Sequence, residues 1–107
     1  MRKTLIRNGF LIDGTGNSQR LGDLLIEGDR ISAVGTLTDA ADEVIDAAGK
    51  VVCPGFIDIH RHCDAKFFQD PHVGDAMLAQ GITTTVTGNC GMSLTPSPAD
   101  PTEMYDF

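Results

Sequence analysis

Alternating apolar and polar positions mark the first half of the chain as a series of short strands. Segments 23–27 and 30–34 flank the pair Gly28-Asp29, and the second of them alternates strictly between the two residue types. A period of two residues is typical of a half-buried strand. A glycine-containing pair between two such runs indicates a tight turn. The pattern therefore predicts a β-hairpin that turns at Gly28-Asp29.

Four further short segments of this half also predict strands. They are residues 4–7, closed by Asn8-Gly9, then 10–12, 44–46 and 51–53. The last two flank the turn-like residues 47–50, which favours a second hairpin. Five or six short strands with little helical pattern predict a small β-sandwich or a curled sheet over residues 1–53.

The pattern changes to that of an α/β protein at Pro54. Residues 55–60 form a dense apolar run, typical of a buried parallel strand. Residues 73–80 have helical spacing and precede a glycine that can terminate a helix. Residues 82–87 are rich in β-branched side chains and predict another strand. Strand, helix and strand predict a βαβ unit with a right-handed parallel crossover at the start of the region 54–107.

Composition and charge narrow the classes of partner. Hydrophobic residues make up 41% of the 107 residues and charged residues 21%, as in ordinary globular proteins. The net charge of −7 argues against nucleic acid, because phosphate binding needs a basic patch. No apolar run approaches the ~18 residues needed to span a bilayer, and none resembles a secretory signal. Three cysteines without a CxxC pair fit a reducing cytoplasm, where we expect the protein.

The strongest chemical signal is a pair of histidines at the end of the apolar run after Pro54. Residues i and i+2 of a strand point to the same side, so His60 and His62 are expected to project together. Neutral imidazoles are good ligands for Zn²⁺. Such a pair also occurs by chance on a wet strand. Parallel α/β folds place their ligands beyond the carboxyl ends of the strands, however, which favours a metal site here.

Two other residues are candidates for the same site. Cys90 follows the second strand of the βαβ unit, within Gly88-Asn89-Cys90-Gly91, and its thiolate could reach a metal held by the histidines. It could equally be a small buried apolar residue, although flanking glycines permit unusual turns. Asp58 could orient a histidine through a hydrogen bond or serve as a turn partner.

The remaining titratable residues of this region are expected to lie outside the metal site. Asp64 and His72 are predicted to be solvated loop residues. Cys53 is predicted to lie in the core or at a hinge. Cys63 has the opposite strand parity to its neighbour His62, so it is expected to point away from a metal.

These motifs together resemble a known family. The run Val52–His62 resembles the strand-1 signature of the amidohydrolase superfamily, P-G-F-I-D-x-H-x-H. The segments Gln80–Thr84 and Gly88–Ser93 resemble the N-acyl-D-amino-acid deacylase (D-aminoacylase) branch. The resemblance covers about residues 4–96.

The resemblance implies a fold and a set of ligands. The fold would be α/β overall: an N-terminal β-sandwich segment, followed by the first βαβ unit of a (β/α)₈ TIM-like barrel. One or two zinc ions would lie at the mouth of the barrel, with His60, His62 and Cys90 as ligands. The implied reaction is hydrolysis of the amide bond of a small N-acyl-D-amino acid by metal-activated water.

The length of the chain limits what this resemblance implies for the chain itself. A (β/α)₈ barrel needs roughly 250 residues, and residues 54–107 suffice for two strands and one helix. The catalytic aspartate is expected beyond the end of this chain, so the chain alone is expected to be inactive. Its uncovered apolar face would need an oligomer or the rest of a parent chain. The alternatives are a dihydroorotase- or hydantoinase-like cyclic amidase, and a non-catalytic metal-binding fragment.

Overall fold

The computed structural model describes residues 1–64, 66 and 70–93, and the chain divides into two compact units, Met1–Pro54 and Gly55–Phe107. In the part of the chain that is described, no helix has the length and apolar character needed to cross a membrane.

The first unit is a five-stranded sheet. Its strands are β1 (Lys3–Leu11), β2 (Arg20–Glu27), β3 (Arg30–Gly35), β4 (Glu43–Asp46) and β5 (Val51–Val52). The order is β3-β2-β1-β4, with β5 also paired to β1. The buried apolar side chains of the two central strands are Leu5, Leu11 and Leu25. They are separated by more exposed residues, as in strands with one buried face. The five strands form a single sheet. The second sheet that a β-sandwich requires is not formed by the described residues of this unit.

The hairpin at Gly28-Asp29 is confirmed. Strands β2 and β3 pair antiparallel, with Glu27 opposite Arg30. Gly28 has φ +63°, a conformation that glycine adopts without steric cost. Its backbone N–H donates to the carbonyl of Arg2, 2.9 Å away, which ties the turn to the start of the chain.

The prediction that the chain turns at Asn8-Gly9 is wrong. Strand β1 continues through this pair, and its pairing register with β2 shifts between Ile6 and Gly9, as at a β-bulge. Asn8 takes the left-handed conformation (φ +60°) that its short amide tolerates. Its backbone N–H donates to the buried carboxylate of Asp23, and its side chain donates to Asp46. Turn-forming residues therefore bend the strand here without ending it.

The second predicted hairpin, over 44–46 and 51–53, is also wrong. Strands β4 and β5 both run parallel to β1, so they cannot be antiparallel to each other. β4 pairs with Thr4–Arg7 before the bulge, and β5 pairs with Phe10 and Leu11 after it. The turn from Ala47 to Lys50 thus carries the chain along one edge of β1 rather than back on itself.

The second unit contains the predicted βαβ arrangement in a shorter form. Strands β6 (Phe56–Asp58) and β7 (Ile82–Thr85) pair in parallel, and helix α1 (Asp75–Leu78) lies between them in sequence. The helix was expected over 73–80, but hydrogen-bonded turns replace its ends, and Gly81 follows at φ +78°. Phe56 and Ile57 are exposed, contrary to the expected burial, because β7 is the one described strand beside β6.

Close contact between Gly55 and β7 supports a stability prediction. A Cβ atom at Gly55 would overlap the side chain of Thr83, whereas one at Gly74 would meet no atom within 4 Å. We expect Gly55→Ala to lower the free energy of unfolding of this unit by about 1–3 kcal/mol, the usual cost of overpacking. Gly74→Ala is the matched control and should not destabilise. Hydrogen exchange of the β7 amides measures both, and equal exchange rates in the two variants would contradict the clash.

Candidate metal centre

The two parallel strands of the second unit bring two loops to the same edge of their sheet. The loop after β6 carries His60 and His62, and the loop after β7 carries Cys90. The possible ligand atoms of these three exposed residues all lie within 4.8 Å of one another. The structure therefore brings together the three residues that the sequence singled out. The strand-parity argument for the histidines was wrong, however, because β6 ends at Asp58 and both histidines lie in the loop.

Asp58 shapes the first of these loops. Its Oδ1 accepts a hydrogen bond from the backbone N–H of His60 at 3.1 Å, and its Oδ2 lies 3.5 Å from the guanidinium of Arg61. This is the turn-partner role left open by the sequence. The carboxylate reaches the backbone of His60, so it fixes where the chain leaves the strand. The rings of His60 and His62 then meet edge to face, with centroids 5.4 Å apart.

Cys90 occupies an unusual backbone conformation. It lies in the 3₁₀ turn Asn89–Gly91 with φ +56°, flanked by Gly88 at φ +82° and Gly91 at φ +76°. A left-handed conformation is uncommon outside glycine and persists where the surrounding structure enforces it. Cys90 is exposed, so its interpretation as a small buried residue is wrong. Its Sγ lies 3.4 Å from Nε2 of His60.

Asp64 is the residue that the sequence interpretation missed. It was expected to be a solvated loop residue, but only 8% of it is exposed. Its Oδ1 accepts a hydrogen bond of 2.8 Å from the backbone N–H of Gly88, which links the two loops. The sequence did contain one signal for this contact, the glycine-rich turn at residues 88–91. Backbone N–H groups that lie outside a strand need hydrogen-bond acceptors from another part of the chain.

The remaining candidates lie outside the cluster. Cys63 is a buried free thiol and is not part of the cluster, but it also lies in the loop after β6, so the strand-parity argument does not apply to it. Cys53 is exposed, so its prediction as a core residue is wrong. His72 is exposed, as expected, and its Nδ1 lies 3.1 Å from the carboxylate of Asp75.

The donor set fits zinc. Zinc in proteins prefers imidazole nitrogen and thiolate sulfur, which are the atoms gathered here. An imidazole nitrogen and a thiolate on one tetrahedral zinc lie about 3.6 Å apart for standard bond lengths. The separation between Cys90 and His60 is 3.4 Å. The two atoms could therefore share an ion with little rearrangement.

Comparison with known proteins decides the family. The model of the amidohydrolase family matches residues 43–104, which include both loops of the cluster. The chain belongs to the amidohydrolase family. Of the curated amidohydrolase relatives, an N-acyl-D-glutamate deacylase of Alcaligenes xylosoxydans xylosoxydans is 46% identical over 95 residues. That match covers 88% of this chain and 19% of the relative. The chain thus spans about a fifth of the length of this relative.

Solved structures agree with this assignment to the amidohydrolases. A D-aminoacylase studied for its binuclear metal centre superposes with a TM-score of 0.82 at 43% identity, covering 96% of this chain and 23% of that one. The N-acyl-D-glutamate deacylase of Bordetella bronchiseptica, solved with zinc and a phosphonate inhibitor, gives 0.77 at 43% identity. That match covers 90% of this chain and 21% of the deacylase.

Proposed function

We propose that this amidohydrolase chain is the N-terminal part of a zinc-dependent enzyme that hydrolyses N-acyl-D-amino acids. The observation that carries the proposal is the cluster of His60, His62 and Cys90, whose ligand atoms lie within 4.8 Å of one another. Similarity to an N-acyl-D-glutamate deacylase and to a D-aminoacylase supports the substrate class. The thiol of Cys90 beside two imidazoles supports a site with mixed nitrogen and sulfur ligands.

Each residue of the cluster has a distinct part in this proposal. The two imidazoles and the thiolate would hold one or two zinc ions. One solved relative has a binuclear metal centre and another is complexed with zinc. Zinc in such a site supplies Lewis-acid polarisation of the amide carbonyl and activates water as a nucleophile. Asp58 keeps His60 in place through its backbone, and the exposure of all three side chains leaves room for a substrate. The carboxylate that would move the proton is expected beyond residue 107.

The exposed apolar residues of β6 support the proposed barrel. Phe56 is 58% exposed and Ile57 63% exposed in a strand that pairs with one neighbour among the described residues. Parallel strands are normally covered on both faces. We therefore assign residues 54–107 to the start of a (β/α)₈ barrel and residues 1–53 to part of a β-sandwich. The three free thiols fit a cytoplasmic location.

A chimera tests the proposed function. This chain would replace the matching N-terminal segment of the D-aminoacylase, and the purified protein would be assayed with N-acetyl-D-methionine and N-acetyl-D-glutamate. We expect zinc-dependent release of the free D-amino acid, which is lost in His60→Ala. His72→Ala is the matched control, because it removes the one histidine outside the cluster and should keep the activity.

Other outcomes would assign a different function. A folded, zinc-loaded chimera that opens hydantoin or dihydroorotate but leaves N-acyl-D-amino acids intact would favour the cyclic amidase. A chimera that binds zinc and hydrolyses neither class would favour the non-catalytic metal-binding module.

A further inference from the structure

We propose that Asp64 is a positioning residue for Cys90, and that its carboxylate holds the loop after β7 so that the thiolate faces the two histidines. The proposal rests on the metal centre described under the proposed function. It adds a residue outside the ligand set, with a role that acts through the backbone of Gly88.

Burial and hydrogen bonding single out Asp64. Asp23 and Asp64 are the two buried charged residues within the described ranges, and Asp64 alone belongs to the second unit. Its Oδ1 lies 2.8 Å from the backbone nitrogen of Gly88, and that nitrogen donates. Burying a carboxylate is costly unless it is hydrogen-bonded. The contact therefore has a large effect on where both loops can lie.

The position of this hydrogen bond couples the two loops next to the ligands. Asp64 comes two residues after His62, and Gly88 comes two residues before Cys90. Two contacts within the second loop set its local shape: the Asn89 side chain donates to the carbonyl of Val86, and the N–H of Met92 donates to the carbonyl of Asn89. Neither fixes that loop relative to the histidines. The last backbone bond between the two segments runs from the N–H of Val86 to the carbonyl of Asp58. Beyond it, the bond from Gly88 to Asp64 holds the second loop against the first.

The hydrogen bond between Gly88 and Asp64 matters because the backbone of Cys90 is strained. A non-glycine residue at φ +56° is strained relative to ordinary backbone. Without an external contact the turn can relax toward a less strained conformation. The thiolate would then move away from the imidazoles. The hydrogen bond from Gly88 to the buried carboxylate of Asp64 opposes that relaxation at the residue where the turn begins.

The test uses Co²⁺ titration of the reduced chain, because cobalt bound to thiolate has a sulfur-to-metal charge-transfer absorption that imidazole ligands do not give. We expect Asp64→Ala to weaken cobalt affinity about 10–100-fold, as for lost supporting contacts at metal sites, and to lose most of this absorption. Asp75→Ala is the matched control, since it removes an exposed carboxylate of the same unit.

Two conservative variants decide the proposal even where Asp64→Ala unfolds. Asp64→Asn removes the charge but keeps an oxygen that accepts from Gly88, so it should retain the absorption. Asp64→Glu keeps the charge but moves the carboxylate oxygens by one methylene. This variant should therefore lose part of the sulfur-to-cobalt absorption. A full absorption band in Asp64→Glu, or a weak one in Asp64→Asn, would overturn the positioning role alone. A wild-type chain that binds no cobalt would overturn the metal centre and, with it, this role.

Discussion

Replacing Cys90 with serine is expected to weaken zinc binding more than about 100-fold, since losing even a residue that only supports a ligand costs about 10–100-fold. Serine keeps the size of the side chain, so the backbone at φ +56° meets no new steric demand. Its hydroxyl is not a zinc ligand in the sites where thiolate is. The loss of zinc affinity in this variant should therefore come from the removal of the sulfur atom, which lies 3.4 Å from Nε2 of His60.

Cys53→Ser is the matched control for this prediction. Cys53 is also an exposed free thiol, but it belongs to the first unit and to no cluster of ligand atoms in the described part of the chain. Competition with a chromophoric zinc chelator, under reducing conditions, measures both variants. Zinc affinities that fall equally in the two variants would contradict the ligand role of Cys90.

The largest expected effect on the first unit comes from Asp23. Its Oδ1 accepts from the N–H of Asn8 and its Oδ2 from the N–H of Leu37, each at 2.9 Å, and only 8% of the residue is exposed. Asp23→Ala leaves both donors without this acceptor. A hydrogen bond to a charged group contributes about 1.5–3 kcal/mol, so we expect a loss of at least that size in the free energy of unfolding. Asp29→Ala removes an 85% exposed carboxylate and serves as control.

The dependence of this effect on pH has a definite sign. Hydrogen bonds from the N–H groups of Leu37 and Asn8 hold the pKa of Asp23 below its ordinary value. Its stabilising contribution is therefore fully present above the unfolded pKa of about 3.9 and is lost as the pH falls through the folded pKa. Urea unfolding followed by circular dichroism should show wild type and Asp23→Ala converging in acid. A gap that stays constant below pH ~4 would contradict this linkage.

Wild type should lose further stability in acid from two other carboxylates. The pKa of Asp13 is lowered by hydrogen bonds from the hydroxyl and N–H of Thr15, and that of Asp46 by the side chain of Asn8 and the N–H of Ala48. Both carboxylates are present in Asp23→Ala as well. The contribution of Asp13 therefore cancels in the difference between the two proteins, whereas Asp46 is coupled to Asp23 through their shared donor Asn8.

The sequence pattern predicted where most strands of the first unit lie, but apart from the hairpin of β2 and β3 it did not predict which strands pair with each other. Alternation located β2 and β3, and the Gly28-Asp29 pair fixed their connection, because a two-residue turn determines which strands meet. No local signal shows that β4 and β5 pair with β1, more than thirty residues away. Asn8-Gly9 has the composition of a turn, and only the pairing of β1 with strands on both sides makes it a bulge.

The candidate site was predicted from sequence for partly wrong reasons. Strand parity does not apply to His60 and His62, yet they converge because Asp58 turns the chain where β6 ends. Parallel pairing of β6 and β7 then brings Cys90 to them, as the βαβ pattern required. The role of Asp64 depends on a contact across 24 residues with the backbone N–H of Gly88, and side-chain patterns do not show which backbone N–H a carboxylate accepts from.

The parallel pairing of β1 has a consequence for how the first unit folds during synthesis. Thr4 pairs with Glu43, so one edge of β1 has no partner until about forty residues have left the ribosome. The hairpin of β2 and β3 closes locally and should form early, whereas the pairings of β4 and β5 with β1 must close long loops and should come last. During that interval the free edge of β1 can pair with other chains. Arg2, Lys3 and Arg7 lie along this strand and its start, and their positive charges would repel a second nascent copy that approaches edge to edge.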